Sequence, residues 1–129
     1  MSEPIYRDQL EAVYALLEDP RRWTQEFFAR TADGDGIDDA FDVNDEGDSL
    51  NDYEQANHPA ATCWCLYGAA YKCGIDDDRA YAEALLGELD LLEVVTFNDS
   101  HTHAEVLALL RAAIERAPVR SPPSTAGVV

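Results

Sequence analysis

Cys65, followed in the chain by Asn98, His101 and His103, supplies the residue types of a nucleophilic thiol, an imidazole base and an amide that orients the base. Such a set would serve a cysteine-dependent hydrolase or transferase. The thiol must ionise to act, which requires a helix N-terminus or an electropositive setting. Here it falls in an apolar run of an acidic chain, so inert structural thiols are the main reading and the enzyme is the alternative. Asn98-Asp99-Ser100 ahead of Thr102 also has the chemistry of a plain turn feeding a capped helix. Cys63, Cys65 and Cys73, with His58, His101 and His103, are the usual zinc ligand types. Residues two apart on a helix diverge by about 200°, so Cys63 and Cys65 could not share one ion there. A third constellation is Thr31, Asp33, Asp35, Gly36, Asp39 and Asp42, with oxygen ligands at alternate positions and a glycine for the sharp turn, as calcium loops need. Thr31 stands where such loops begin with Asp, and Asp42 where they carry a bidentate Glu. A solvated acidic loop is therefore the main expectation, and calcium through Asp33, Asp35, Asp39 and Asp42 the alternative. No phosphate-binding glycine loop or serine-centred elbow is present.

The elements that must position these residues read as helices. Tyr6, Leu10, Val13, Tyr14 and Leu17 recur on one helical face, with Ser2 as cap, Pro4 in the first turn and Pro20 as the stop. A short second helix is expected after Thr24, with Phe27 and Phe28 inward and Trp23 stapled back on it. Residues 33–57 then form an acidic loop insertion, too charged for the core, with at most one helical turn near Leu50–Tyr53. The run from Ala60 to Tyr71 is apolar nearly all round and predicts a central helix ending at Gly74 and packed on Leu10, Tyr14, Leu17, Leu109 and Leu110. A fourth helix follows Asp76-Asp77-Asp78, with Tyr81, Ala84, Leu85, Leu89 and Leu92 inward. Val94–Phe97 is a short β-prone run. Thr102 and Glu105 form a capping box ahead of Val106, Leu109, Leu110 and Ala113. The fold class expected is all-α: one compact bundle of about five helices over residues 1–117, with a disordered tail over 118–129.

The charge balance narrows the function. Nine basic residues face 26 acidic ones in 129, a formal charge of −17, while 47% of the chain is hydrophobic, as in globular domains. Ten of the acidic residues lie between Asp33 and Glu54, where no Lys or Arg occurs. Direct nucleic-acid binding, which needs clustered cations, is excluded. No apolar run approaches a membrane span, the first residues lack the pattern of a signal peptide, and three cysteines fit a reducing cytoplasm. A field this negative steers basic proteins inward, so a basic, nucleic-acid-binding protein is the expected partner.

Three blocks also carry a resemblance: Trp23-Thr24-Gln25 with Ala29-Arg30, Cys65-Leu66-Tyr67-Gly68-Ala69, and Phe97-Asn98-Asp99 followed by Thr102 and Glu105 to Leu110. Their order over roughly residues 20–117 resembles a family of small uncharacterised proteins of actinobacteria and their phages. Phe97 stands where that family has Trp, and His101 near where it has Arg. The resemblance implies a bacterial or phage cytoplasmic protein, in the host cytoplasm if phage-encoded, and assigns no activity.

Overall fold

Helix α1, Arg7–Leu17, buries Leu10, Val13 and Leu17, the stripe its spacing predicts, and the amide of Tyr6 donates to Gln9 Oε1 at 2.7 Å at its start. The structure, a computed structural model, describes residues 4–75, 77–87 and 91–119, without the side chains of Leu91 and Leu92. The expected roles of Ser2, Asp76, Leu89, the Leu92 side chain and residues 120–129 lie outside the described residues.

Pro20 opens a single 3-10 turn, Pro20–Arg22, capped by Asp19, whose Oδ1 accepts from the Arg21 amide at 2.9 Å. The second helix expected after Thr24 is not formed. Glu26 takes φ +74°, a left-handed conformation that no helix tolerates, and the chain runs on into strand β1, Ala29–Arg30. That strand lies at the centre of an antiparallel sheet of order β2–β1–β3, with β2 at Gly36–Ile37 and β3 at Cys63–Trp64. Ala29 pairs with Ile37 on one side and Trp64 on the other. The all-α expectation is therefore wrong: six α-helices and this small sheet are found among the described residues. The pairing of β1 with β3 joins residues more than thirty apart in the chain, which local periodicity does not report.

The acidic segment is also more than a solvated loop. Its charges sit at the surface, but Ile37 and Leu50 are buried in the core. A five-residue helix, α2 (Asp52–Ala56), follows Leu50, with Asn51 and Glu54 satisfying each other's amides at 2.8 and 3.0 Å.

The central helix is shorter than its apolar run. Thr62 donates to Arg30 O at 2.9 Å and Cys63–Trp64 pairs with β1, so α3 spans Leu66–Lys72 and Cys65 becomes its N-cap. Every residue of α3 from Leu66 to Tyr71 is buried. It packs on α1, α2 and the later helix α5 (Leu91–Ser100), while the last helix α6 (His103–Arg116) packs mainly on α1 and α4 (Asp78–Leu86) rather than on α3 as expected. Helix α5, Leu91–Ser100, contains the β-prone run: burial of Val94 and Asn98, four residues apart on one face, outweighs the propensity of Val94, Val95 and Thr96. Thr102 and Glu105 form the expected capping box at the start of α6.

At Gly68 an added Cβ would lie 2.0 Å from the backbone oxygen of Phe28. Gly68→Ala should therefore separate α3 from the Trp23–Phe28 loop. A denaturant melt should show a loss on the order of 3 kcal/mol, large for a single methyl.

Candidate functional site

The three motif blocks meet at one buried side chain. Asn98 is fully buried. Its Oδ1 accepts from Trp23 Nε1 at 2.7 Å and from the Leu66 amide, the first residue of α3, at 2.9 Å. Its Nδ2 donates to Thr24 O at 3.0 Å and to Asp99 Oδ1 at 3.2 Å. Gln25 completes the join, its Nε2 donating to Asn98 O at 2.9 Å and His101 O at 3.1 Å at the carbonyl end of α5. Asp99 Oδ1 also accepts the amide of Glu26 at 2.9 Å, which holds the left-handed residue in place. One amide thus ties the first loop to two helices. The sequence names Trp23, Gln25 and Asn98 as motif residues, but not the hydrogen bonds that join them.

Cys65 sits beside this join, buried, its Sγ accepting from the Gly68 amide at 3.2 Å. The sequence reading places it inside a helix, whereas the structure puts it at a helix N-terminus, the position where thiols usually ionise. Burial nevertheless dominates. Desolvation outweighs the Gly68 and Tyr67 amides that favour the thiolate, and the nearby Asp99 charge adds to it, so the thiol is pushed up to about 12. Neither histidine approaches it. His101 stacks on Phe97 with ring centroids 3.8 Å apart and donates from Nδ1 to Phe97 O at 2.9 Å. His103 donates from Nε2 to Leu17 O at 2.6 Å, its ring against Trp23. The proposed Cys65–His101 or Cys65–His103 pair is not brought together, and Asn98 orients backbone rather than a base.

The zinc candidates are equally dispersed. Cys63 lies on β3, Cys73 caps the end of α3, and His58 accepts the Ala60 amide on Nδ1, so its Nε2–H faces Asp42 Oδ2 at 2.8 Å. That imidazole holds the Asp42 carboxyl below the usual carboxylate range. Asp33, Asp35, Asp39 and Asp42 are all exposed, and among the described residues no three His, Cys, Asp or Glu side chains converge on a metal-sized point.

Next to Asn98 lies a cavity of about 230 Å³ lined by Glu26, Asp38, Gln55, Cys65, Asn98 and Asp99, with Phe27, Phe28 and Val95 as apolar wall. A wider groove of about 580 Å³ runs between α4 and α6, lined by four alanines and by Arg79, Glu83 and Arg116 among others, and Arg116 there is committed to the carbonyls of Ala84 and Leu85. The smaller cavity is the candidate site, because the motif residues converge on it.

Residues 1–116 match a family of unknown function, DUF6197, and the chain belongs to that family. No curated protein and no solved structure matches it. Among the described residues no helix is long and apolar enough to cross a membrane.

Two outcomes follow from the geometry. Asn98→Ala leaves the Trp23 indole N–H and the Leu66 amide without an acceptor inside the fold, and should cost about 3–5 kcal/mol in a urea melt. The Cys65 thiol ionises near 9 when unfolded and near 12 when folded. Its neutral-state contribution is therefore complete below pH 9 and lost as pH rises toward 12. Cys65→Ser, which keeps a capping oxygen and removes the ionisation, should flatten the fall in melting temperature across that range, as read by circular dichroism.

Proposed function

We propose that this is a small acidic, non-catalytic binding or regulatory protein of bacterial or phage origin, acting in the cytoplasm, whose acidic lobe (residues 33–54) engages a basic, nucleic-acid-binding protein rather than nucleic acid itself. One observation carries the reading. Three large apolar side chains, Phe41, Val43 and Tyr53, are 37%, 59% and 51% exposed within the segment that holds ten carboxylates and no Lys or Arg. Carboxylates steer a basic surface inward, and exposed apolar side chains give it contact area to bury once it arrives.

The lobe is held in shape before any partner binds. The Asn44 amide donates to Asp48 O at 2.9 Å, Asn44 Oδ1 accepts the amides of Glu46 and Asp48, and Phe41 packs edge-on against His58. Such preorganisation lowers the ordering cost of association. The enzyme alternative has less support, since Cys65 is neutral and buried and neither imidazole reaches it.

The test is a comparative pull-down from host lysate. The intact chain should retain a basic protein at low salt and release it at moderate salt. A Val43→Ser/Tyr53→Ser variant and an Asp45→Asn/Asp48→Asn variant should both fail to retain it while melting like the parent. Retention of the same protein by both variants would overturn the proposal.

A further inference from the structure

The cavity beside Asn98 is lined by Gln55, a side-chain amide with one bonded and one uncommitted end. Gln55 is only 7% exposed, and its Nε2 donates to Leu50 O at 3.0 Å, which fixes the orientation of the amide. Its Oε1 accepts no hydrogen bond among the described residues. Among the described residues no polar side-chain atom is both sealed from solvent and unpartnered, so this oxygen keeps solvent access, and Gln55 lines the cavity. An amide oxygen in that state can accept from a ligand donor.

The rest of the lining says what kind of donor. The carboxylates of Glu26, Asp38 and Asp99 border the cavity, and no Lys or Arg does. Asp99 commits Oδ1 to the Glu26 amide and Asn98, and Asp38 commits Oδ1 to the Ala40 amide, leaving an acceptor oxygen on each. These acceptors are spread rather than gathered on one point, since no three such groups among the described residues could share a metal ion. Spread acceptors beside the rings of Phe27 and Phe28 suit a flat cation with several divergent N–H groups. The Phe27 ring already carries one, the Arg30 guanidinium at 4.6 Å from its centroid.

We propose that this cavity binds a guanidinium group, with Gln55 Oε1 accepting one N–H inside and the Asp99 and Asp38 carboxylates balancing the charge at the mouth. The site shares Asp38 with the acidic lobe but does not rest on the lobe's partner, and it stands if that reading fails.

The full chain would be titrated by NMR with butylguanidinium and, separately, with N-acetyl-arginine N-methylamide. N-acetyl-lysine N-methylamide and sodium chloride at equal ionic strength serve as controls. Both guanidinium probes should give saturable shifts at the Gln55 side-chain amide and the Val95 methyls, and the lysine probe should bind more weakly. Gln55→Met keeps the side-chain volume and removes the acceptor together with the donor to Leu50 O, so it should weaken binding at least about tenfold with a modest fall in melting temperature from the lost Leu50 hydrogen bond. Asp99→Asn, which keeps the acceptor for Glu26 and removes the charge, should weaken it too and serves if the first variant does not fold. Tighter binding of the blocked arginine would identify a protein side chain as the source, and tighter binding of butylguanidinium a free small molecule. Absence of saturation, equal response to the lysine probe, or parental affinity in both variants would overturn the proposal.

Discussion

The side-chain amide of Asn98 has two faces, and the fold uses both. Its oxygen takes hydrogen bonds from an indole and from the first amide of α3, and its nitrogen gives hydrogen bonds to a loop carbonyl and a carboxylate. An acid at this position would bring a charge into a fully buried place and lose the donors, and a leucine would leave two donors unpaired. Each orphaned donor costs about 1–3 kcal/mol, a large share of the stability of a domain this small. The Trp23–Phe28 loop, α3 and α5 hold their relative positions because one residue satisfies all three.

The character of Cys65 follows from that arrangement. The start of α3 offers its thiol a backbone amide, which alone would favour the thiolate. The thiol is nevertheless buried beside the Asn98 join, and its desolvation outweighs the amide. The contest between a helix N-terminus and burial is decided by burial, leaving a neutral capping thiol. Asp99 reaches this corner through Oδ1, which accepts from Asn98, while most of the other carboxylates lie at the surface and give it its field. Arg30 braces the loop by donating to Thr24 Oγ1 and to the Gly34 and Gln25 carbonyls.

Where local chemistry decides, the sequence was readable. The Leu10, Val13 and Leu17 stripe, the Thr102–Glu105 box and the burial of Leu66–Tyr71 all follow from spacing and capping within a few residues. Where partners are distant, it was not. Glu26 carries no glycine to announce its positive φ, and the loop it shapes is held by Asp99, far along the chain. Cys63–Trp64 reads as helix until Ala29–Arg30 is known to lie beside it, and Val94–Phe97 reads as β-prone until Asn98 and Val94 are known to share a buried face. The same division holds at the site. Cys65 and Asn98 stand out by residue type, although for a pairing with His101 or His103 that the structure does not bring together, whereas Gln55 matters only because of where it is buried.

Hydrogen exchange at the Leu66 amide tests the role of Asn98 most directly, because that proton is bonded to Asn98 Oδ1 rather than to the helix's own backbone. A helix's first amide ordinarily exchanges quickly. If Asn98 holds the three segments together, the Leu66 amide exchanges as slowly as the core amides of α3 and speeds up markedly in Asn98→Ala under native conditions. A Leu66 amide that exchanges at the rate of a loop in the intact protein would contradict the account.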